Sequence, residues 1–241
     1  INPEMCKITE DLVFSHPYYD ADTNSFNPLI RRDVEAIWKD DALRREVAVL
    51  KERFMTCGQA LVHGDLHTGS IMVTEQDTKV IDPEFAYYGP MGFDIGALLA
   101  NLFLSYASHE GLTEDPDERR SYRRWLLQTA EDVWNGFLER FYRLWDEHVK
   151  DAMWSAPGYR EGYALRLLQD SAGFAGCKMM RRVIGLAPVA DLETIEPLEV
   201  RAAAERQALR IGVQLVLRRG QMRRIEDITA LVRREGEGEC G

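Results

Sequence analysis

Between His63 and Glu84 the chain concentrates the side chains most able to do chemistry. The run opens His63-Gly64-Asp65-Leu66-His67-Thr68-Gly69-Ser70 and resumes, after a polar turn, with Asp82-Pro83-Glu84. Three carboxylates at the ends of neighbouring strand-like runs repel one another and need protons or a hard cation. Mg²⁺, held by one or two carboxylates together with substrate phosphates, is the usual answer. The order also fits phosphoryl transfer, in which one loop Asp accepts the proton of the acceptor hydroxyl and a later acid holds metal under the phosphates. On that reading Asp65 is the proton acceptor, and Asp82 and Glu84 are the metal ligands. Ser70 stands where protein kinases place an Asn after their catalytic Asp. His63 and His67 read as scaffold for the loop, and Asp94 as a cap at the start of an apolar helix. A rival reading stays open: His63, Asp65 and His67 alternate along an extended segment, so they could share a face and ligate Zn²⁺ around an attacking water.

The elements that must position these residues are a small β region inside a mostly helical chain. Residues 60–63, 71–74 and 79–82 are short strand-like runs, with 75–78 as the turn between the last two. The spacing of Val34, Ile37, Val47, Leu50 and Phe54 predicts a helix over 33–54. Beyond the loop at 88–92 the sequence predicts helices over 94–106, from Asp115-Pro116 through an apolar face running from Trp125 to Leu144, and then over 159–185, 197–219 and 225–234. Phe85, Tyr87 and Tyr88 read as packing residues. Two glycine patterns are decoys. Gly236, Gly238 and Gly241 match a dinucleotide fingerprint without its strand or helix, and read as a frayed tail. Gly173 and Gly176 ahead of Lys178 lack the spacing of a phosphate-binding loop.

Composition narrows the class. There are 40 Asp and Glu against 30 Lys and Arg, a formal charge of −10, which argues against nucleic acid as the main partner. The arginines between 201 and 224 read as a solvated helix face. Four scattered cysteines form no disulfide framework and suit a cytoplasmic protein. The apolar stretch 96–107 is read as too short to span a bilayer. The first residue is Ile1, and Asn2-Pro3-Glu4 is helix-start chemistry with Asn as N-cap. The expectation is a chain cut between domains.

The string HGDLHTGSI at 63–71, followed by Asp82-Pro83-Glu84-Phe85-Ala86, resembles the methylthioribose kinases, within the aminoglycoside- and choline-phosphotransferase branch of the protein-kinase-like superfamily. Residues 14–26, 89–103 and 180–187 are also similar, so the resemblance covers nearly the whole chain. The wider branch has Asn where Ser70 stands, whereas Ser is expected among the methylthioribose kinases. The resemblance implies an α+β, mostly helical kinase-like C-terminal lobe over 1–241, with a small β hairpin carrying the catalytic and metal-binding loops. It implies ATP and Mg²⁺, a small-molecule sugar acceptor (the 1-hydroxyl of methylthioribose, in methionine salvage), and it allows a homodimer. It also gives Arg181 and Arg182 the task of neutralising charge near the substrate and the transferring phosphate, and Asp94 that of bracing the catalytic loop. A Gly-rich loop and a phosphate-pairing Lys would belong to a lobe ahead of Ile1, so the chain alone is expected not to turn over. An aminoglycoside- or choline-type transferase, the metal-dependent hydrolase and a non-catalytic kinase-like fragment are the alternatives.

Overall fold

In a computed structural model that describes residues 2–237, the first helix, α1 (Pro3–Phe14), starts with Pro3 in its first turn, where a missing N–H costs nothing. Asn2 does not cap it through its side chain, contrary to expectation. Its amide instead donates to the Glu84 carbonyl at 2.7 Å, tying the start of the helix to the segment that carries Asp82 and Glu84. The helix predicted over 33–54 is two: α2 (Arg31–Lys39) and α3 (Asp41–Thr56). Asp40 breaks it, sitting extended with its carboxylate on the Leu43 N–H at 2.9 Å, a side-chain cap that competes with continuing the helix. The predicted apolar face survives the break, since Val34, Ile37, Val47, Leu50 and Phe54 are all buried.

The β region is two nested antiparallel pairs. β1 (Ala60–Val62) pairs with β4 (Tyr87–Gly89), and inside this bracket β2 (Ile71–Val73) pairs with β3 (Thr78–Val80). Alternation along β4 turns Tyr87 into the core and Tyr88 out to solvent, so Tyr88 is not the packing residue the sequence suggested.

Helices supply the rest: α4 (Met91–Leu112), α5 (Pro116–His148), α6 (Tyr159–Ile184), the single turn α7 (Ala190–Glu193), α8 (Leu198–Arg218) and α9 (Ile225–Glu237). The fold is a mostly helical α+β kinase-like lobe. α4, α6 and α8 pack most extensively on one another. α4 has 22 residues, longer than its apolar stretch suggested and long enough to cross a bilayer, but 72% of its most apolar window is buried inside the protein. Its apolarity is that of a central core helix. α6 and α8 approach closely because Gly176 and Gly212 face each other, and a Cβ on Gly176 would collide with the Gly212 carbonyl. A ring cluster of Phe14, Phe54, Phe93 and Phe174 joins α1, α3, α4 and α6, with Phe54–Phe93 centroids 4.9 Å apart and Phe93–Phe174 5.4 Å apart.

Asp115 caps α5 by accepting the Asp117 and Glu118 N–H groups, both at 2.8 Å. The 33 residues of α5 extend roughly 50 Å at 1.5 Å per residue. Its fully buried residues end at Trp134, with Phe137, Leu138 and Phe141 partly buried beyond it, while Leu144 and Trp125, the latter between buried Arg123 and Leu126, are exposed. The arginines of α8 are not simply solvated. Arg206 meets Asp33 at 3.0 Å, and Arg219, just beyond the helix, meets Glu46 at 3.0 Å. Gly236 lies within α9, while Gly238, Cys240 and Gly241 fall outside the described residues.

The close α6–α8 crossing yields a test. Gly176→Val should overpack it at a cost of about 1–3 kcal/mol. By calorimetry Tm should fall by about 2–4 °C for each kcal/mol lost. An unchanged Tm would mean the crossing is looser than described.

Candidate active site

The loop from His63 to Ser70 leaves the end of β1 and is held at three levels. Asp94, in the first turn of α4, accepts the backbone N–H of His63 at 2.5 Å and of Gly64 at 2.9 Å. Burial pushes the Asp94 carboxyl up, with the two N–H groups pulling the other way. Gly64 sits at φ +85° directly against the Phe85 carbonyl, a conformation and a clearance that only glycine meets. Thr68 donates to Asn101 of α4 at 3.1 Å.

Within the loop, one neutral tautomer of His63 satisfies both ring nitrogens: Nε2–H donates to the Ile81 carbonyl at 2.8 Å and Nδ1 accepts the Asp65 N–H at 3.3 Å. With both nitrogens engaged, His63 is no zinc ligand in this arrangement. Ser70 is buried at 4% exposure under the loop. Its hydroxyl faces the Asp65 carbonyl and His67 Nε2, both at 3.4 Å. Burial holds the His67 imidazole below its ordinary pKa. Its Nε2 lies 3.7 Å from Asp65 Oδ2.

Asp65 itself meets a residue that the sequence reading passed over. Lys178 Nζ donates to Oδ1 at 2.8 Å, from a side chain whose residue is only 6% exposed. Burial pushes the Asp65 carboxyl up, but the Lys178 ammonium, with Arg182 and His67 behind it, outweighs that and holds it below its usual range. In the sequence Lys178 follows Gly173 and Gly176, which lack the spacing of a phosphate-binding loop. Its signal was helical: Lys178, Arg181 and Arg182 stand at i, i+3 and i+4, one face of one helix.

Arg181 and Arg182 both donate to the Ala187 carbonyl, at 3.3 and 3.0 Å. Neither closes an ion pair among the described residues, and the buried Nε of Arg181 has no hydrogen-bond partner there. Burial first, then Arg182, pushes Arg181 down to about 10.

The segment with Asp82 and Glu84 is docked on the loop through Ile81, whose N–H donates to the Ser70 carbonyl at 3.0 Å while its carbonyl takes His63. It is not extended, as the sequence reading required. Asp82 is left-handed at φ 64°, and Pro83–Phe85 form a turn of 3₁₀ helix. Both carboxylates are exposed, and among the described residues neither accepts a hydrogen bond or closes an ion pair. Among the described residues no three such groups are arranged to hold a cation together, and the Asp65 charge is met by Lys178.

Because Asp94 alone holds the His63 and Gly64 amides, Asp94→Ala should strand two donors at about 1–3 kcal/mol each. Hydrogen exchange at those amides should accelerate well beyond the rest of the lobe. Unchanged protection there would show that the loop is held by something else.

The chain is similar to known proteins over most of its length. The profile of a family described as "Phosphotransferase enzyme family" matches residues 16–137, which include the whole loop and its acids. The methylthioribose kinase of Geobacillus kaustophilus is 46% identical over 231 residues, covering 96% of this chain and 56% of its own length. Methylthioribose kinase 1 of Oryza sativa subsp. japonica is 45% identical over 94% of this chain and 56% of its own. The methylthioribose kinase of Yersinia enterocolitica is 42% identical over 98% of this chain and 59% of its own. The chain thus spans somewhat more than half the length of these relatives, and it belongs to the phosphotransferase enzyme family.

Proposed function

We propose that this chain forms the acceptor and metal-binding part of an ATP-dependent kinase acting on a small sugar hydroxyl, the 1-hydroxyl of methylthioribose. The observation that carries the reading is an imbalance of charge. Lys178, Arg181 and Arg182 on α6 face a single ion-paired carboxylate, Asp65, while both oxygens of nearby Asp94 are taken by backbone N–H groups. A half-buried cationic cluster with an unpartnered guanidinium nitrogen suits an anion with several oxygens, and a phosphoryl group fits the planar fork of arginine. The methylthioribose kinase relatives supply the choice of sugar.

In this scheme Asp65, ionised at neutral pH, uses Oδ2 to accept the proton of the acceptor hydroxyl while Oδ1 stays with Lys178. His63, Ser70 and Asp94 hold the loop backbone so that this oxygen does not wander. Arg181 and Arg182 meet the charge on the transferring phosphate. Asp82 and Glu84 are hard oxygen donors left without partners, and they fit a Mg²⁺ ion that would neutralise charge on the nucleotide phosphates.

Two outcomes are expected of the natural gene product, including whatever its gene encodes ahead of Ile1. Asp65→Asn should lower kcat by about 10²- to 10⁴-fold, equivalent to about 3–5 kcal/mol of barrier, in an assay of ATP consumption with methylthioribose. Wild-type turnover by that variant would remove Asp65 from the reaction, and turnover only with choline or an aminoglycoside would move the acceptor to another branch. By isothermal titration, Mg²⁺–ADP binding should be lost in Asp82→Ala and weakened in Glu84→Ala. Unchanged affinity in both would place the metal elsewhere.

A further inference from the structure

Lys178 is the only lysine buried among the described residues. Taking an ammonium out of water is costly, and an ion pair inside a protein is often no more stabilising than apolar side chains of the same size. A contribution to stability is thus a weak account of it. The contacts of Lys178 say more. Its Nζ is 2.8 Å from Asp65 Oδ1 and 4.9 Å from the centre of the Phe93 ring, over its face. Phe93 directly precedes Asp94, which holds the backbone of the same loop. Phe93 is also fixed by the ring cluster with Phe14, Phe54 and Phe174. The ammonium is therefore located against a ring buried in the core, and it holds one oxygen of a loop carboxylate far away in sequence. The groups that face this pair are Arg181 and Arg182 on α6, His63 and His67 in the loop, and Asp94 on α4.

We propose that Lys178 is a positioning residue for Asp65: by gripping Oδ1 it leaves Oδ2 turned to the acceptor hydroxyl. The proposal rests on the phosphoryl-transfer reading above. Lys178 is distinct from the arginines beside it. Its charge is already engaged by Asp65 and by the ring face, whereas Arg181 and Arg182 have no carboxylate partner among the described residues. It acts through the base and not on the phosphate.

The two roles separate in a double-mutant cycle on the natural gene product. Lys178→Met should lower kcat by about 10- to 100-fold, the scale of a misplaced reacting group, and leave KM for ATP and sugar within about twofold. In an Asp65→Asn background the same replacement should cost less than about twofold in kcat, because nothing remains for it to position. A second readout needs no turnover: the ¹³C resonance of the Asp65 carboxyl should titrate at higher pH in Lys178→Met than in the wild type. Should Lys178→Met not melt cooperatively, Lys178→Gln carries the same measurements with a neutral donor of shorter reach. Additive losses of kcat in the cycle, a raised KM for ATP at unchanged kcat, or an unmoved Asp65 titration would each overturn the proposal. If the wild type transfers no phosphate from ATP, the functional reading fails, and the Asp65 titration still decides whether Lys178 governs that carboxylate.

Discussion

Asp94 accepts the N–H groups of His63 and Gly64 with its two oxygens, and this fork joins the reactive loop to the apolar core. A loop of backbone polar groups cannot lie against a helical core unless those groups find partners there. By placing a carboxylate in the first turn of α4, the fold satisfies two adjacent donors and sets the direction in which the chain enters Asp65. Asp94 is not the helix cap that its position near the start of α4 suggests, since Pro90 holds that place. It faces across to the loop. Gly64 completes the join, because its positive φ and its contact with the Phe85 carbonyl let the loop lie flat on the segment that follows β3.

That second segment is tied down in the same manner. Ile81 bonds Ser70 with its N–H and His63 with its carbonyl, so the hairpin of β2 and β3 closes directly onto the loop. Asn2, at the head of α1, grips the Glu84 carbonyl from the other side. The backbone around Asp82 and Glu84 is thereby fixed while their carboxylates stay in solvent. On the proposed reading, a main chain held from both sides with unpartnered hard donors suits a cation and phosphates, because little has to be reorganised when they arrive.

α6 contributes the opposite charge. Gly176 packs it against α8, and the residues that follow, Lys178, Arg181 and Arg182, present their charge toward Asp65. The close helix crossing and the cationic face are therefore features of one element. Depth in the core sets the role of each cation: Lys178, nearly sealed, is taken up by the carboxylate, while the half-buried arginines keep donors in reserve.

Much of this was legible in the residues. The string from His63 to Ser70 and the acids at 82 and 84 marked the candidate site, because few chemistries need those types at that spacing. The apolar periods placed most of the helices, since burial of one face is a local pattern. Other features followed from distant parts of the chain. Asp40 split a helix whose apolar period ran straight through it, because a side-chain cap is invisible to periodicity. Asp82 took a left-handed turn where an extended strand was expected, and Trp125 and Leu144 lie on exposed positions of α5, Trp125 between the buried Arg123 and Leu126. Lys178 shows the limit most clearly. It and Asp65 are 113 residues apart, and no local pattern pairs an acid in a loop with a base on a later helix. The sequence by itself determined which groups could carry the chemistry and which faces had to be buried. The tertiary structure alone decided which charges meet, because charge pairing in a desolvated core depends on distances that the packing of α4 and α6 sets.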